Sequence, residues 1–254
     1  MGKLTDKLEQ AARGGAQPMG FAAPRVEKTP AMLLLVKASA GGPGLKAAVE
    51  AGVDGAMVAP GSKRNMQSAA KALSGVPWGL WVDVAQAELP DGADFQVFAS
   101  DASPVAAIGG EEQTSVMQAS PDMDDETLRV IDDLPVDAFV VSLAGEGPLT
   151  VRSLLLLGRV SGVTSKWLLL HVSEAPTAHE AEQLHAAGVS ALVLDADDAS
   201  ADDLRQARQT LLNLPSAAKR SKERRAATLP SVGLPDGGSR RRPEPDDDDY
   251  EDDE

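Results

Sequence analysis

The sequence predicts an α/β protein built on a sheet of eight parallel strands. Eight short apolar runs lie between residues 32 and 194 of the 254-residue chain, and amphipathic helices fill most of the gaps between them. Several runs are apolar without alternating polar positions, which is typical of strands buried on both faces of a parallel sheet. The predicted strands are Met32–Lys37, Gly55–Ala59, Trp78–Val82, Phe95–Ala99, Ser115–Gln118, Ala138–Ser142, Trp167–His171 and Ala191–Leu194.

Six segments between or after these strands have their apolar residues at helical spacing. The first, Gly44–Ala51, ends at Gly52, which can terminate a helix because Gly adopts a left-handed conformation without strain. The second, Asn65–Leu73, has a candidate cap at Ser62 or Asn65. The others are Asp124–Asp133, Val151–Val160, Ala178–Ala187 and Ala201–Leu212. Strands that alternate with helices in this way indicate βαβ units.

One helix-to-strand corner occurs twice in the chain. Ala-Gly-Val follows a predicted helix at residues 51–53 and again at 187–189, and each time it leads into an apolar strand. This corner resembles those of (β/α)8 TIM-barrel proteins, and the resemblance extends from Met32 to about Leu214. It implies that functional residues lie at the C-terminal ends of the strands. Eight strands favour closure into a barrel, with an open doubly wound sheet as the alternative.

The chain divides into three regions of different composition. Residues 1–30 contain an amphipathic helix over Lys3–Arg13 and an arm with Pro and Gly, and residues 31–215 form the predicted barrel. Residues 216–254 carry basic blocks followed by the acidic run Asp246–Glu254. Runs of like charge repel one another and bury little surface, so we expect this charged tail to be disordered.

The predicted barrel is short. Residues 32–214 number 183, against about 250 in a typical barrel of this kind. The shortening falls in residues 83–94 and 100–114, which leave little room for the third and fourth crossover helices. Apolar strand surface left open there would cost about 25 cal/mol per Å². We therefore expect residues 1–29 or a second copy of the chain to cover this flank, and a homo-oligomer is a candidate assembly.

The composition excludes several classes of function. With 24 Lys and Arg against 39 Asp and Glu, the chain has a formal charge of −15 and would repel nucleic acid and anionic membranes. It has no Cys, which excludes disulfides, thiolate metal ligands and a Cys nucleophile. Uncharged stretches such as 72–82 are far shorter than the roughly 20 apolar residues of a membrane span. We expect a cytoplasmic protein with a small-molecule or protein partner.

Four residues at or near the predicted strand ends are candidates for catalysis: Lys37, Asp83, His171 and Asp195. A Lys held among barrel side chains can lose its charge and act as a Schiff-base nucleophile. The alternative for Lys37 is an ion pair with Asp195 or Asp83. His171 is a candidate general base, and the alternative is a structural histidine held by hydrogen bonds.

Three further residues in this region, Ser39, Ser142 and Glu146, are candidates for ligand binding. Asp83, Glu146 and Asp195 are the only candidate set for a metal, Mg²⁺ held through oxygen ligands, and no other cofactor is expected. The loop after the last strand carries five carboxylates, which would repel phosphate where such barrels commonly bind it. For every one of these residues the alternative is a solvated rim position without a function.

Two functions remain open at this point. The first is an enzyme of lyase or isomerase type that acts on a small, non-phosphorylated molecule through Lys37 with Asp83, His171 or Asp195. The fold supports this only by analogy, because most barrels are enzymes. The second is a non-catalytic barrel that serves as an interaction or assembly subunit and docks through its charged tail. The short loops, the shortened crossovers, the lack of cofactor motifs and the charged tail favour the second function. The two are nearly balanced, and the enzyme stays the first choice.

Overall fold

A computed structural model describes residues 2–13, 29–99, 101–108, 110, 113–120, 122–145 and 147–215. Three expectations from the sequence lie outside the described residues: the arm within residues 14–28, the disordered charged tail from residue 216 onward, and the ligand-binding role of Glu146. Within the described ranges, no helix is long and apolar enough to cross a membrane.

Strands and helices alternate along most of the described chain. The strands are β1 (Leu33–Ser39), β2 (Gly55–Ala59), β3 (Trp78–Val82), β4 (Phe95–Phe98), β5 (Thr114–Ala119), β6 (Ala138–Ser142), β7 (Trp167–Val172) and β8 (Val189–Asp195). The helices are α1 (Lys3–Ala12), α2 (Gly44–Ala51), α3 (Lys63–Ala72), α4 (Asp125–Asp132), α5 (Val151–Val163), α6 (Ala178–Ala186) and α7 (Ala201–Leu212).

The eight strands close into a barrel in sequence order. Each strand pairs in parallel with the next, and β8 pairs in parallel with β1 to complete the circle. This closure confirms the predicted (β/α)8 TIM barrel and excludes the open doubly wound sheet. Every apolar run identified in the sequence contributes a strand, because a parallel sheet enclosed by helices buries both faces of its strands.

Apolar side chains fill both sides of the barrel wall. Inside the barrel, Leu35, Met57, Phe95 and Val140 are fully buried. A Cβ added at Gly79 would lie 2.2 Å from the backbone oxygen of Phe95, so β3 and β4 approach this closely only because residue 79 is Gly. Outside the wall, the alternate strand residues pack against the helices in a second buried cluster.

Three aspartates tie neighbouring strands together at the N-terminal end of the barrel. They precede β2, β4 and β6, and each carboxylate accepts a hydrogen bond from a backbone N–H of the strand before it, at 2.8 to 3.3 Å. The backbone N–H of each aspartate donates in return to the carbonyl of the strand residue whose N–H bonds to its carboxylate, at 2.7 to 2.8 Å. These bonds satisfy backbone groups where the ladder begins. The pairs are Asp54 with Leu34, Asp94 with Trp78, and Asp137 with Ser115.

Helix α1 closes the same N-terminal end of the barrel. Its apolar face packs with the interior residues of the barrel, and Leu8 is 1% exposed. Thr5 Oγ1 lies 2.9 Å from Thr114 Oγ1 at the start of β5. Lys7 Nζ donates to the carbonyl of Asp54 at 2.9 Å. The described part of the N-terminal segment therefore packs across the bottom of the barrel, where it contacts β1, β5 and β8.

The third and fourth crossovers are shortened, as the sequence predicts. No α-helix occurs between β3 and β4 or in the described residues between β4 and β5, where a single 3-10 turn spans Val105–Ala107. Leu89, Ala93 and Ile108 of these crossovers nevertheless pack against the outer face of the wall. Trp78, Leu80 and Phe98 on the outer face of β3 and β4 are at most 3% exposed, and Ala85 belongs to the same buried cluster. Extended loops thus pack on the wall where a helix is absent. The expectation that residues 1–29 or a second copy cover this flank stays a prediction, because residues 14–28 lie outside the described residues.

A buried glutamine holds the two shortened crossovers against the barrel wall. Gln96 lies on β4 and is fully buried. Its Oε1 accepts from the backbone N–H of Gln86 at 2.8 Å, and its Nε2 donates to the carbonyls of Gln86 at 3.2 Å and Ala107 at 2.7 Å. One side chain thus satisfies backbone groups in both crossovers, which lack the internal hydrogen bonds of a helix.

Hydroxyl side chains set the start of several helices. Ser62 accepts from the backbone N–H of Asn65 at 3.3 Å, so Ser62 is the cap of α3. Thr150, Thr177 and Ser200 each form a reciprocal capping box at the first turn of α5, α6 and α7. Such caps satisfy amide groups that have no partner within the helix, and they fix where each loop at the C-terminal end of the barrel ends.

Candidate functional site

Four polar side chains from four adjacent strands meet inside the C-terminal mouth of the barrel. We call this set the mouth network: Lys37 on β1, Ser142 on β6, His171 on β7 and Asp195 on β8. The strand register places Ser142 opposite His171 and Lys37 opposite Asp195. In a barrel, residues at these ends are the ones available to a ligand.

The mouth network is linked by hydrogen bonds and one ion pair. Ser142 Oγ lies 2.9 Å from Nδ1 of His171, and Nε2 of the same ring lies 3.1 Å from Oδ2 of Asp195. The other carboxylate oxygen of Asp195 is 3.7 Å from Nζ of Lys37. The His171 side chain is only 4% exposed, whereas those of Asp195 and Lys37 are 30% and 31% exposed. The network thus runs from a buried imidazole to partly solvated charges.

The partners of His171 determine which ring nitrogen carries the proton. An ionised carboxylate can only accept, so Nε2 donates to Asp195. Burial lowers the pKa of His171 from its ordinary value, although the negative charge of Asp195 acts in the opposite direction. The ring is therefore neutral near pH 7, and its unprotonated Nδ1 accepts from the hydroxyl of Ser142. In Ser–His–Asp triads the hydroxyl lies at Nε2 and the carboxylate at Nδ1, so the two nitrogens are exchanged here.

An aromatic side chain that the sequence analysis missed lies beside the network. The ring of Trp81 on β3 is 4.8 Å from Nζ of Lys37, and its centroid is 5.4 Å from that of His171. A carboxylate and the face of an aromatic ring both stabilise an ammonium group, so both neighbours of Lys37 favour its charged form. The signal was available, because Trp81 lies one residue before the end of β3, the end at which such barrels bind their ligands.

Two predicted site residues lie outside the network. Asp83 is exposed, and its side chain forms no ion pair with a described residue, although its carbonyl accepts from the N–H of Ala99 at 3.0 Å. Ser39 is also exposed, and its backbone N–H donates to Oδ2 of Asp197 at 2.8 Å. The structure therefore brings together four of the predicted site residues and leaves these two at the rim.

The described residues do not assemble a metal site. No three His, Asp or Glu side chains among them are close enough to hold a metal ion. Asp195 faces His171 and Lys37, and Asp83 is not part of that group. The magnesium set of Asp83, Glu146 and Asp195 stays a prediction, because Glu146 lies outside the described residues.

The glycine-rich segment after β1 supports close contact between two loops. A Cβ added at Gly44 would lie 2.5 Å from the carbonyl carbon of Ala196, and one added at Gly42 would lie 2.6 Å from Oδ1 of Asp197. These glycines therefore allow the loop after β8 to pack against the start of α2. Because the carboxylate of Asp197 occupies this position, the segment is unsuited to hold a phosphate.

A groove of about 720 Å³ lies outside the wall, beside the first turns of α5 and α6. Leu143 and Val172 line it, and they directly follow Ser142 and His171 in the chain, so they face the opposite side of the wall. Charged residues of both signs, such as Arg152, line it as well. The groove and the mouth network are therefore separate places. The titratable groups of the mouth, unlike those reported for the groove, are bonded to one another.

Comparison with known proteins identifies the fold. No family model matches the chain, and no curated protein matches its sequence. Among solved structures, a ligand-free form of tryptophan synthase from M. tuberculosis is 14% identical with a TM-score of 0.56, over 84% of this chain and 98% of that chain. A mutant tryptophan synthase alpha-subunit from Pyrococcus furiosus is 15% identical with a TM-score of 0.54, over 72% and 98%.

These similarities place the chain in the class of (β/α)8 TIM barrels. The aminoacrylate-bound form of tryptophan synthase from M. tuberculosis gives the same result, with 15% identity and a TM-score of 0.53 over 71% of this chain and 92% of that chain. Identities this low establish the shared fold and nothing about the reaction, because one fold supports many activities. The function has to be argued from the site.

Proposed function

We propose that this barrel binds a small, non-phosphorylated molecule at its mouth and acts as an enzyme of lyase or isomerase type. The observation that carries the proposal is the continuous chain from Ser142 through His171 to Asp195, with Lys37 beside it. A buried neutral imidazole that a carboxylate orients and that accepts from a hydroxyl is suited to proton transfer. The carboxylates of the loop after β8 support a substrate without phosphate.

Each member of the network has a proposed role in removing a proton from a carbon next to a carbonyl. Ser142 Oγ takes the substrate proton while its own hydroxyl proton passes to Nδ1 of His171. Asp195 stabilises the imidazolium that results, and the ammonium of Lys37 stabilises the negative oxygen of the enolate. The proton is then delivered to another carbon in an isomerase, or to the departing group in a lyase.

The contacts of Lys37 favour this electrostatic role over a Schiff base. A Schiff base requires an uncharged amine, whereas Asp195 at 3.7 Å and the Trp81 ring at 4.8 Å both stabilise the charged one. Treatment with borohydride in the presence of small aldehydes and ketones should therefore leave the mass of the protein unchanged. A covalent adduct that maps to Lys37, and is absent from the K37M variant, would assign the lysine the role of nucleophile instead.

The proposal can be tested without knowing the substrate. A panel of non-phosphorylated ketones, aldehydes and hydroxy acids is incubated with the protein in D₂O, and proton exchange at carbon is followed by NMR. H171N should lower any observed exchange rate by about 100-fold or more, the usual contribution of a general base. The matched pair D195N and D83N removes one carboxylate inside the network and one outside it. Exchange that falls equally in both variants, or survives H171N, would contradict the proposal.

A second candidate function is a non-catalytic barrel that acts as an interaction subunit. The observation that favours it is Trp81, whose ring lies against both Lys37 and His171 inside the mouth. On this hypothesis the mouth network is structural, and D195N should destabilise the fold without any panel compound binding to the unaltered protein. The protein partner, the homo-oligomer and the cytoplasmic location remain predictions from the sequence.

A further inference from the structure

Helix α3 carries an isolated positive surface on an acidic protein. Lys63, Arg64 and Lys71 are all exposed, and only Ala69 of the ten helix residues is buried. No Asp or Glu occurs between Gly55 and Val82, although the whole chain has a formal charge of −15. The surface formed by the three cations, which we call the α3 basic face, is therefore without acidic neighbours along the chain.

The three cations also lack partners within the part of the chain that the structure describes. None of Lys63, Arg64 and Lys71 forms an ion pair there. Near them, Lys46 on the neighbouring helix α2 is paired with Glu50 at 3.9 Å. Three unpaired cations on one surface helix attract anions of flexible geometry more readily than a single one does, because their fields add.

We propose that the acidic segment Asp246–Glu254 of this same chain docks on the α3 basic face. The segment carries eight carboxylates in nine residues, which complements the two ammonium groups and the guanidinium group of the α3 basic face. Residues 1–214 have 16 basic and 28 acidic side chains, a net charge of −12, so long-range repulsion keeps the segment away from most of the barrel. On the α3 basic face that repulsion is locally reversed.

The length of the chain permits this contact. Thirty residues, 216–245, separate the last described residue, Pro215, from the acidic segment. Fully extended, they span up to about 100 Å, whereas a domain of this size has a radius of gyration of about 16 Å. The acidic segment and the α3 basic face belong to one molecule, so the effective concentration of one at the other is on the order of millimolar. Weak exposed ion pairs therefore suffice to populate the contact.

The test uses the full chain, which has no native Cys to interfere with labelling. A spin label is attached at Y250C, and the broadening of backbone amide signals is recorded by NMR. We expect the amides of residues 63–72 to lose about half their intensity or more at about 20 mM salt. The effect should disappear at about 0.5 M salt, where the screening length falls to about 4 Å.

Charge reversal on the barrel provides the matched control. K63E/R64E/K71E should abolish the broadening on α3. R129E/R152E/K166E changes the net charge by the same amount at cations elsewhere on the barrel, and it should leave the broadening in place. Broadening confined to the basic blocks at residues 219–225 and 240–242 would mean that the tail masks itself, and it would overturn the proposal. Broadening that also appears when label and isotope are on different molecules would assign the contact to a second copy, and would overturn it as well.

Discussion

Replacing Gln96 tests what stabilises the third and fourth crossovers, which contain no α-helix in the described residues. Gln96→Met keeps the side-chain volume and removes the hydrogen bonds to Gln86 N–H, Gln86 C=O and Ala107 C=O. At about 1 kcal/mol for each bond, the loss amounts to about 3 kcal/mol. Water can replace the bonds to the exposed Gln86, so the bond to Ala107 alone sets a lower bound of about 1 kcal/mol.

The assay is urea unfolding followed by the fluorescence of the three tryptophans, with Ser103→Ala as a control. Ser103 Oγ accepts one bond from Ala85 N–H in the same crossovers, at 2.9 Å, so S103A should cost about 1 kcal/mol. A free energy of unfolding for Q96M within about 0.5 kcal/mol of the unaltered protein would refute the reasoning. It would mean that apolar packing alone holds the crossovers.

A charged version of the same substitution has a pH dependence of known sign. Gln96→Glu keeps the shape but places a carboxyl at a fully buried position facing two carbonyl oxygens. Burial raises the pKa of the introduced carboxyl above its unfolded value of about 4.3. Its contribution to stability is therefore present below that pH and is lost as the pH rises through the folded pKa. Q96E should be closer to the unaltered protein at pH 4 than at pH 7.

Three further predictions concern other parts of the fold. Burial lowers the pKa of His171 in the folded protein. The contribution of His171 to stability is therefore present above its unfolded pKa of about 6.5 and is lost as the pH falls through its lower folded pKa. In H171N, the urea midpoint should change less with pH over this range. Leu8→Ala on α1 removes a side chain that is 1% exposed, so it should lower the free energy of unfolding in urea by about 2–5 kcal/mol. Replacing the exposed Lys3 with Ala should lower it by less than about 1 kcal/mol. Gly79→Ala should destabilise the protein strongly, because the added Cβ would meet Phe95. Gly158→Ala in helix α5 has nothing within 4 Å of the added Cβ and should stabilise the protein by about 0.5–1 kcal/mol. Equal urea midpoints for the two variants would contradict the packing argument.

The strands could be predicted because their signal is local, whereas closure of the barrel was only the favoured one of two arrangements of eight strands. A strand buried on both faces has to be apolar at consecutive positions, and runs such as Met32–Lys37 show this directly. The amphipathic character of α1 was equally visible. The position of α1 on the barrel could not be predicted. An apolar helix face indicates that the helix packs on another surface, but it does not indicate which surface. Its bonds to Thr114 and Asp54 connect residues about 50 to 110 positions apart, and no local pattern encodes such pairs.

The candidate site could be predicted residue by residue, but its connections could not. Lys37, Ser142, His171 and Asp195 each stand out as polar residues at the end of an apolar run. Their pairing depends on the register between neighbouring strands, which two separate stretches of sequence do not specify. Gln96 was missed for a related reason. A polar residue within a strand is ordinarily taken to face water, and only the folded crossovers reveal that it is covered.

The docking of α1 also has a consequence for how the protein is made. Helix α1 leaves the ribosome before every other described element, yet it contacts β5 and β8 as well as β1. Synthesis proceeds at about 5–20 residues per second, so the helix waits for roughly ten seconds or more until its last partner strand exists. A helix of ten residues is not stable alone in water. The helix can therefore be fully buried only after the barrel has been translated. A nascent chain stalled before β8 would present an unprotected helix α1 to proteases and chaperones.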